Sequence, residues 1–366
     1  MKKCKLVIVI MVLLIIWGTW VNYQPHRQEE IIAGEGVTEV SQLSDYYPDL
    51  AGSNGDTKIY TLKGEDEGGT AVILGGSHAN EIAGVIASIN VVESGQVEAG
   101  RVMVIPHANA SAITNRKPLQ GDPWRITLDP EDPDSRHIRY GSRYTHPLDQ
   151  WPTPEEYTHV SGELDFPGTE GRNLNRVHPG QSSGTLTEQI SYALFALLEE
   201  EEVDMVFDLH EAGVDSNLPN HIITHPESIY LGSEVYLDME FAGYSFHLEQ
   251  SNMDFRGLSH REMGEKTEAY AILSETANPY QGNYFIDSSP EAIMSGEEPG
   301  YQRIIAERNV IPAKEDLAMN NRVAAQLMII NQSIKQLGSF YPEKEINFNF
   351  PEPEEVRDKG VVEFLN

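Results

Sequence analysis

One pattern constrains this chain most: short apolar runs that end directly before residues able to do chemistry. Ala71–Leu74 leads into Gly75-Gly76-Ser77-His78-Ala79-Asn80-Glu81, and Val102–Pro106 is followed by Asn109 and Arg116. Met205-Val206-Phe207-Asp208-Leu209 ends at His210, and Tyr270–Ser274 ends at Glu275. Apolar runs of this length, bounded by turn residues, read as buried strands. Between them, Glu81–Glu93 sets Ile82, Val85, Ile86, Ile89 and Val92 on one helical face, and residues 186–201 read as a second helix. This alternation predicts an α/β fold, a mixed central β-sheet flanked by helices. In open sheets of this kind, ligand sites gather at the carboxyl ends of the strands. His78, Arg116, His210 and Glu275 all lie just past a predicted strand.

The rest of the chain completes the outline. Ile59–Leu62 and His221–Thr224 read as further strands. Residues 229–249 read as mostly helical, and residues 300–337 as helical with a break near Pro312. Pro118–Gly171 differs: it is rich in Pro, Asp, Arg and aromatic residues, includes Trp124 and Trp151, and has no sustained periodicity. Structureless stretches of that length are uncommon unless they serve a function or are disordered, so it reads as a long loop insertion over one face. The expected organisation is an N-terminal segment over 1–23, a linker over 24–55, one catalytic body over 56–338 containing the 118–171 insertion, and an acidic tail over 339–366.

Charge and cysteine content narrow the classes. With 57 acidic against 26 basic residues the formal net charge is −31. A nucleic-acid partner is not expected, because neutralising phosphates needs a basic surface. Cys4 is the single cysteine, so an intrachain disulfide and a cysteine-built metal site are both excluded. Lys2, Lys3 and Lys5 precede an apolar run from Leu6 to Val21. That order predicts a signal anchor that keeps the N-terminus inside and the body extracytoplasmic. A cleaved signal peptide giving a secreted form and a buried helix are the alternatives.

The candidate site begins with His78 and Glu81. Three residues apart at a helix start, they can face the same way, and an imidazole and a carboxylate are ordinary zinc ligands. Alone, the pair carries little: His-x-x-Glu recurs at His26–Glu29 in a polar stretch with no strand before it, which reads as chance. His210 offers a third ligand. Asp208, two residues earlier on the same strand face, can support it. His107, His178, His221 and His225 read as polar loop or supporting residues.

In order and spacing, these segments resemble the zinc carboxypeptidase superfamily, and within it the succinylglutamate desuccinylase/aspartoacylase branch, over roughly Tyr60 to Tyr284. The resemblance implies one Zn2+ per chain held by His78, Glu81 and His210. It implies Asn175 and Arg176, within Asn173-Leu174-Asn175-Arg176, as the substrate-binding pair. Arg116 resembles the arginine that polarises the scissile carbonyl, with Arg125, Arg136, Arg139 and Arg143 as competitors, and Glu275 matches the catalytic glutamate. The chain departs from the family pattern where Asn173 replaces the usual aspartate. Neither Tyr270 nor Tyr280 can be assigned as the tyrosine that carboxypeptidases set over the substrate.

The expected function is zinc-dependent hydrolysis of an amide bond in a carboxylate-bearing small molecule, an N-acyl amino acid deacylase. An exported metallocarboxypeptidase acting on peptides or cell-wall stem peptides is the alternative, and a non-catalytic ligand-binding protein on the same fold is a further one. A serine or cysteine hydrolase is poorly served, since Cys4 is badly placed and no Gly-x-Ser-x-Gly elbow occurs.

Overall fold

The computed structural model describes residues 2–23, 29, 31–115, 125–129, 131–132, 135–213, 216–281, 289–308, 312 and 314–366. The chain opens with helix α1 (Lys2–Tyr23). Four strands follow, β1 (Val37–Gln42), β2 (Lys58–Lys63), β3 (Asp66–Leu74) and β4 (Gln96–Ile105), with helix α2 (Ile82–Ser94) between β3 and β4. A short α3 (Ala110–Thr114) leads into the insertion. There, β5 (Arg125–Thr127) pairs with β6 (His137–Arg139), and β7 (Glu156–Thr158) pairs with β8 (Asp165–Pro167). The second half holds α4 (Leu186–Glu200), β9 (Met205–Ala212), β10 (His221–Thr224), α5 (Ile229–Phe241), β11 (His247–Gln250), α6 (Ser259–Lys266) and β12 (Tyr270–Ala277). It closes with α7 (Pro290–Ser295), α8 (Pro299–Arg308), α9 (Met319–Phe340), β13 (Asn347–Asn349) and α10 (Pro353–Lys359).

The main sheet is mixed, in the order β1-β2-β4-β3-β9-β12-β10-β11, with β13 on the outer part of β4. Its centre is parallel: β3 lies between β4 and β9, and β9 pairs with β12, all in one direction. β10 runs against β12. One face is covered by α2, α5, α9 and α10 through a core that includes Ile73, Ile86, Phe207, Ile272 and Ile329. The other is covered by α4 and α6, with Val72, Leu74, Val206, Leu194 and Met263 in contact. Strands buried on both faces carry apolar residues almost continuously, which is why β3, β9 and β12 are legible as runs.

Several expectations change. β1 lies within the stretch expected to be a linker; none of its Val-Thr-Glu-Val-Ser-Gln residues is fully buried, because it is an edge strand, and polar edges resist unwanted pairing. The helix expected over 229–249 stops at Phe241, where Gly243 adopts a left-handed φ of 85°. Glycine adopts this conformation readily past a helix end, and the chain then turns into β11. The helical stretch over 300–337 is interrupted as expected near Pro312: it forms two helices, α8 and α9, with a short turn at Lys314–Leu317 between them. The insertion is not a bare loop, since it carries two hairpins. The N-terminal anchor is not supported: among the described residues no helix is long and apolar enough to cross a membrane.

Two local features bring α2 close to the sheet. Gly76 has φ 67°, so the chain can turn sharply after β3. Gly84 packs against β9 so tightly that an added Cβ would stand 2.6 Å from the Leu209 carbonyl oxygen. Only a glycine permits that approach, and it draws Glu81, just before α2, toward the end of β9.

Candidate metal centre and active site

The carboxyl ends of β3 and β9 carry the centre. His78 lies in the turn after β3, with the Glu81 amide donating to its carbonyl at 3.1 Å. The two side chains therefore meet through a turn before α2, rather than on the helix face expected from their spacing. His210 is near the end of β9. His78, Glu81 and His210 are all buried, and one ligand atom from each lies within 4.8 Å of the others. Among the described residues they are the one cluster of three His, Cys, Asp or Glu side chains so arranged.

The hydrogen bonds determine which ring nitrogens face inward. His210 Nε2 lies 2.8 Å from Asp208 Oδ2. A carboxylate only accepts, so this nitrogen donates and Nδ1 turns toward the cluster. Asp208 is itself held by Ser77 Oγ at 2.7 Å and by Ser259 Oγ. His78 Nε2 lies 2.7 Å from Asn173 Oδ1, and its Nδ1 also faces the cluster. Inside, His210 Nδ1 is 2.7 Å from Glu81 Oε2 and 3.1 Å from His78 Nδ1. Glu81 Oε2 also accepts from the Glu211 amide at 3.1 Å.

The electrostatics follow from this packing. Burial would lower His210, but Asp208 and Glu81 on either side raise it well above the ordinary histidine range. Burial lowers His78 to about 4, helped by the charge of Arg143. Asp208 is held at about 2: burial would raise it, but His210 and the two serine hydroxyls outweigh that. In the metal-free cluster the two flanking carboxylates thus favour the protonated form of His210, and burial favours the neutral form of His78. His78 Nδ1 and Glu81 Oε1 stand 2.8 Å apart. With the His78 proton on Nε2, both atoms are lone-pair acceptors, an arrangement a cation would resolve. Two inward imidazole nitrogens and a carboxylate suit zinc, with a further position left open.

Glu275 on β12 is the register partner of His210, so both side chains share one face of the sheet. Burial, and then the Glu81 charge, push it up to about 8, and its Oε2 is buried with no hydrogen-bond partner. Asn175 Oδ1 accepts from the Ser259 amide at 2.7 Å. Arg176 donates from Nη1 to the Asn175 carbonyl at 2.6 Å and is partly exposed, with Glu170 Oε2 3.9 Å from its Nε.

Arg116 lies outside the described residues. Of its competitors, Arg125 is exposed at the start of β5. Arg136 pairs with Glu93 at 2.6 Å, and Arg139 donates to the Ile113 carbonyl at 2.9 Å. Arg143 instead donates to Glu81 Oε1 at 3.1 Å and is partly exposed at the cluster. The insertion thus delivers an arginine to the His78–Glu81–His210 cluster, and with it Tyr144 and Glu170, joined at 2.7 Å. Sequence reading missed Tyr144, Glu170 and Gln281, whose Nε2 donates to Glu81 Oε1 at 2.6 Å. No periodicity marks these residues. The other histidines stay outside the cluster: His107 pairs with Glu29 at 3.0 Å, and His178 bonds Ser191 Oγ at 2.7 Å. Asn109 caps α3 through the Ala112 amide.

The sequence model of the succinylglutamate desuccinylase/aspartoacylase catalytic domain matches residues 67–275. No curated protein matches. Among solved structures, the chain is similar to an aspartoacylase family protein from Mesorhizobium loti, with 21% identity over 61% of this chain and 56% of that one, and a TM-score of 0.37. It is similar to the ectoine utilization protein EutE (DoeB) from Ruegeria pomeroyi, with 18% identity, 70% and 62% coverage and a TM-score of 0.39. It is also similar to a metallo-carboxypeptidase from Burkholderia cenocepacia, with 11% identity, 84% and 66% coverage and a TM-score of 0.45. The chain thus spans 56% and 62% of the lengths of the first two. With the catalytic-domain match covering more than half of its length, this chain belongs to the succinylglutamate desuccinylase/aspartoacylase family of hydrolases.

Proposed function

We propose that this protein is a zinc-dependent hydrolase that cleaves an amide bond in a carboxylate-bearing small molecule, an N-acyl amino acid deacylase. The observation that carries this reading is the buried His78–Glu81–His210 cluster, with both imidazole Nδ1 atoms turned inward beside Glu275. A bound zinc ion supplies Lewis acidity and lowers the pKa of water at the reacting centre to about 7. Glu275 takes a proton from the attacking water and returns it to the departing nitrogen as the C–N bond breaks. The products are a carboxylate and an amine. Arg143 stabilises the charge that develops on the carbonyl oxygen, the role expected of Arg116. Arg176 holds the substrate carboxylate, with Asn175 beside it.

Amine release from N-succinyl and N-acetyl amino acids, measured beside C-terminal cleavage of peptides, tests this. Turnover of the acyl amino acids is expected. Peptide cleavage alone would replace the deacylase reading with the peptidase one. Arg143→Ala is expected to lower kcat by about 10²–10³-fold, with metal retained, whereas Arg176→Ala should act mainly by raising KM.

We further propose that the body of the protein is extracytoplasmic. The support is the order of Lys2, Lys3 and Lys5 before the apolar run. A body open to external protease, or recovered outside the cytosol, is the expected result. Recovery wholly in the cytosolic fraction would end this proposal.

A further inference from the structure

We propose that Glu170 and Asn173 act together as a tautomer lock on His78, with the Asn173 amide passing the orienting effect of the Glu170 carboxylate to the ring. The inference rests on the metal-centre reading above and adds two positioning residues to it.

The geometry is continuous. His78 Nε2 is 2.7 Å from Asn173 Oδ1, and Asn173 Nδ2 donates to Glu170 Oε2 at 2.8 Å. Glu170 Oε1 accepts from Tyr144 at 2.7 Å. His78 and Asn173 are buried. Glu170 lies in the 3-10 turn Gly168–Arg172 and Asn173 immediately follows it. Residues three apart eclipse in that kind of turn, so the two side chains meet without help from elsewhere.

The lock is needed because an amide has two unlike ends. With its oxygen toward His78, Asn173 demands a proton on Nε2 and leaves the Nδ1 lone pair free for a metal. Turned over, its NH2 would demand a lone pair on Nε2. The proton would then move to Nδ1 and block ligation. A carboxylate has no wrong end, so an aspartate at this position would need no lock. Here two contacts keep the amide from turning over. Glu170 can only accept, so it refuses the oxygen and holds Nδ2. The Asn175 amide donates to Asn173 Oδ1 at 3.1 Å and would refuse the NH2. Burial alone would raise Glu170, but Tyr144, Asn173, Arg176 and Arg143 hold it below its ordinary value, so it stays an acceptor.

Two readouts on the full-length chain test the lock. One is zinc affinity of the chelator-stripped protein, by competition with a chromophoric chelator. The other is the His78 ring tautomer in the metal-free protein, by imidazole nitrogen NMR. Glu170→Ala is expected to weaken zinc binding by about 10–100-fold and to split His78 between two tautomers. The double variant Glu170→Ala/Asn173→Asp is expected to recover to within about threefold and to show one tautomer, because the introduced carboxylate accepts with either oxygen and no Glu170 repels it. A merely structural role for Glu170 would give no such recovery. If Glu170→Ala fails to fold, Glu170→Gln with Glu170→Gln/Asn173→Asp makes the same comparison with the space filled. Wild-type affinity and a single tautomer in the Glu170 variant would overturn the lock, as would a double variant no better than the single one. A wild-type chain that takes up no zinc would overturn the metal reading instead; the tautomer comparison would still decide the lock.

Discussion

Replacing Glu275 with Gln is expected to cut turnover by about 10²–10⁴-fold while the metal stays bound. The substitution keeps the shape of the side chain and removes only its capacity to take a proton. Glu275 is not one of the three clustered ligands, so metal uptake should not depend on it. It faces the cluster as the register partner of His210, and its Oε2 has no protein partner. A buried, unpaired carboxylate oxygen is costly unless something else uses it, and the proton of an attacking water is the use proposed here. Burial and Glu81 hold Glu275 up at about 8 in the metal-free protein. A bound cation acts in the opposite sense and favours the carboxylate, the form a general base needs. Steady-state kinetics with parallel metal analysis checks this. Turnover within a few-fold of wild type, at equal metal content, would remove Glu275 from the mechanism.

Replacing His210 with Ala is expected to take the bound metal from about one ion per chain to none, and activity with it. The substitution also reaches the fold. In the metal-free chain, His210 lies between Asp208 Oδ2 at 2.8 Å and Glu81 Oε2 at 2.7 Å. Without it, Asp208 keeps only hydroxyl partners, and Glu81 keeps Arg143, Gln281 and the Glu211 amide. Removing one partner of a buried ion pair costs about 3–5 kcal/mol, so a lower denaturation midpoint should accompany the lost metal. Metal analysis after zinc loading and dialysis, with a denaturant titration of the stripped proteins, reads both effects. A variant that still retains stoichiometric zinc would show that the cluster is not the binding site.

Much of this site was legible because its parts are local. Apolar runs that end in Gly-Gly-Ser-His or in Asp-Leu-His mark strand ends in any fold of this class. Strand ends on a parallel sheet converge on one edge, so His78, Glu81, His210 and Glu275 could be grouped from the sequence. The fully buried strands β3, β9 and β12 were legible for the same reason. β1 was not, because a polar edge strand has no apolar signature. Nor was β11, which follows a glycine turn inside a stretch of helical composition.

The sequence by itself determined the buried strands β3, β9 and β12, the residue types of the His78–Glu81–His210 cluster and the exclusion of cysteine chemistry. These follow from periodicity and residue identity over a few neighbouring positions. Only the tertiary structure decided which of the described arginines reaches the metal centre, and that the Asn173 amide is held between His78 and Glu170. It also decided that Tyr144 and Gln281 lie at the site. Those outcomes depend on how the insertion folds back over the sheet edge. Its path is fixed by irregular turns and individual hydrogen bonds between residues far apart in the chain, and such contacts leave no periodic trace in the sequence.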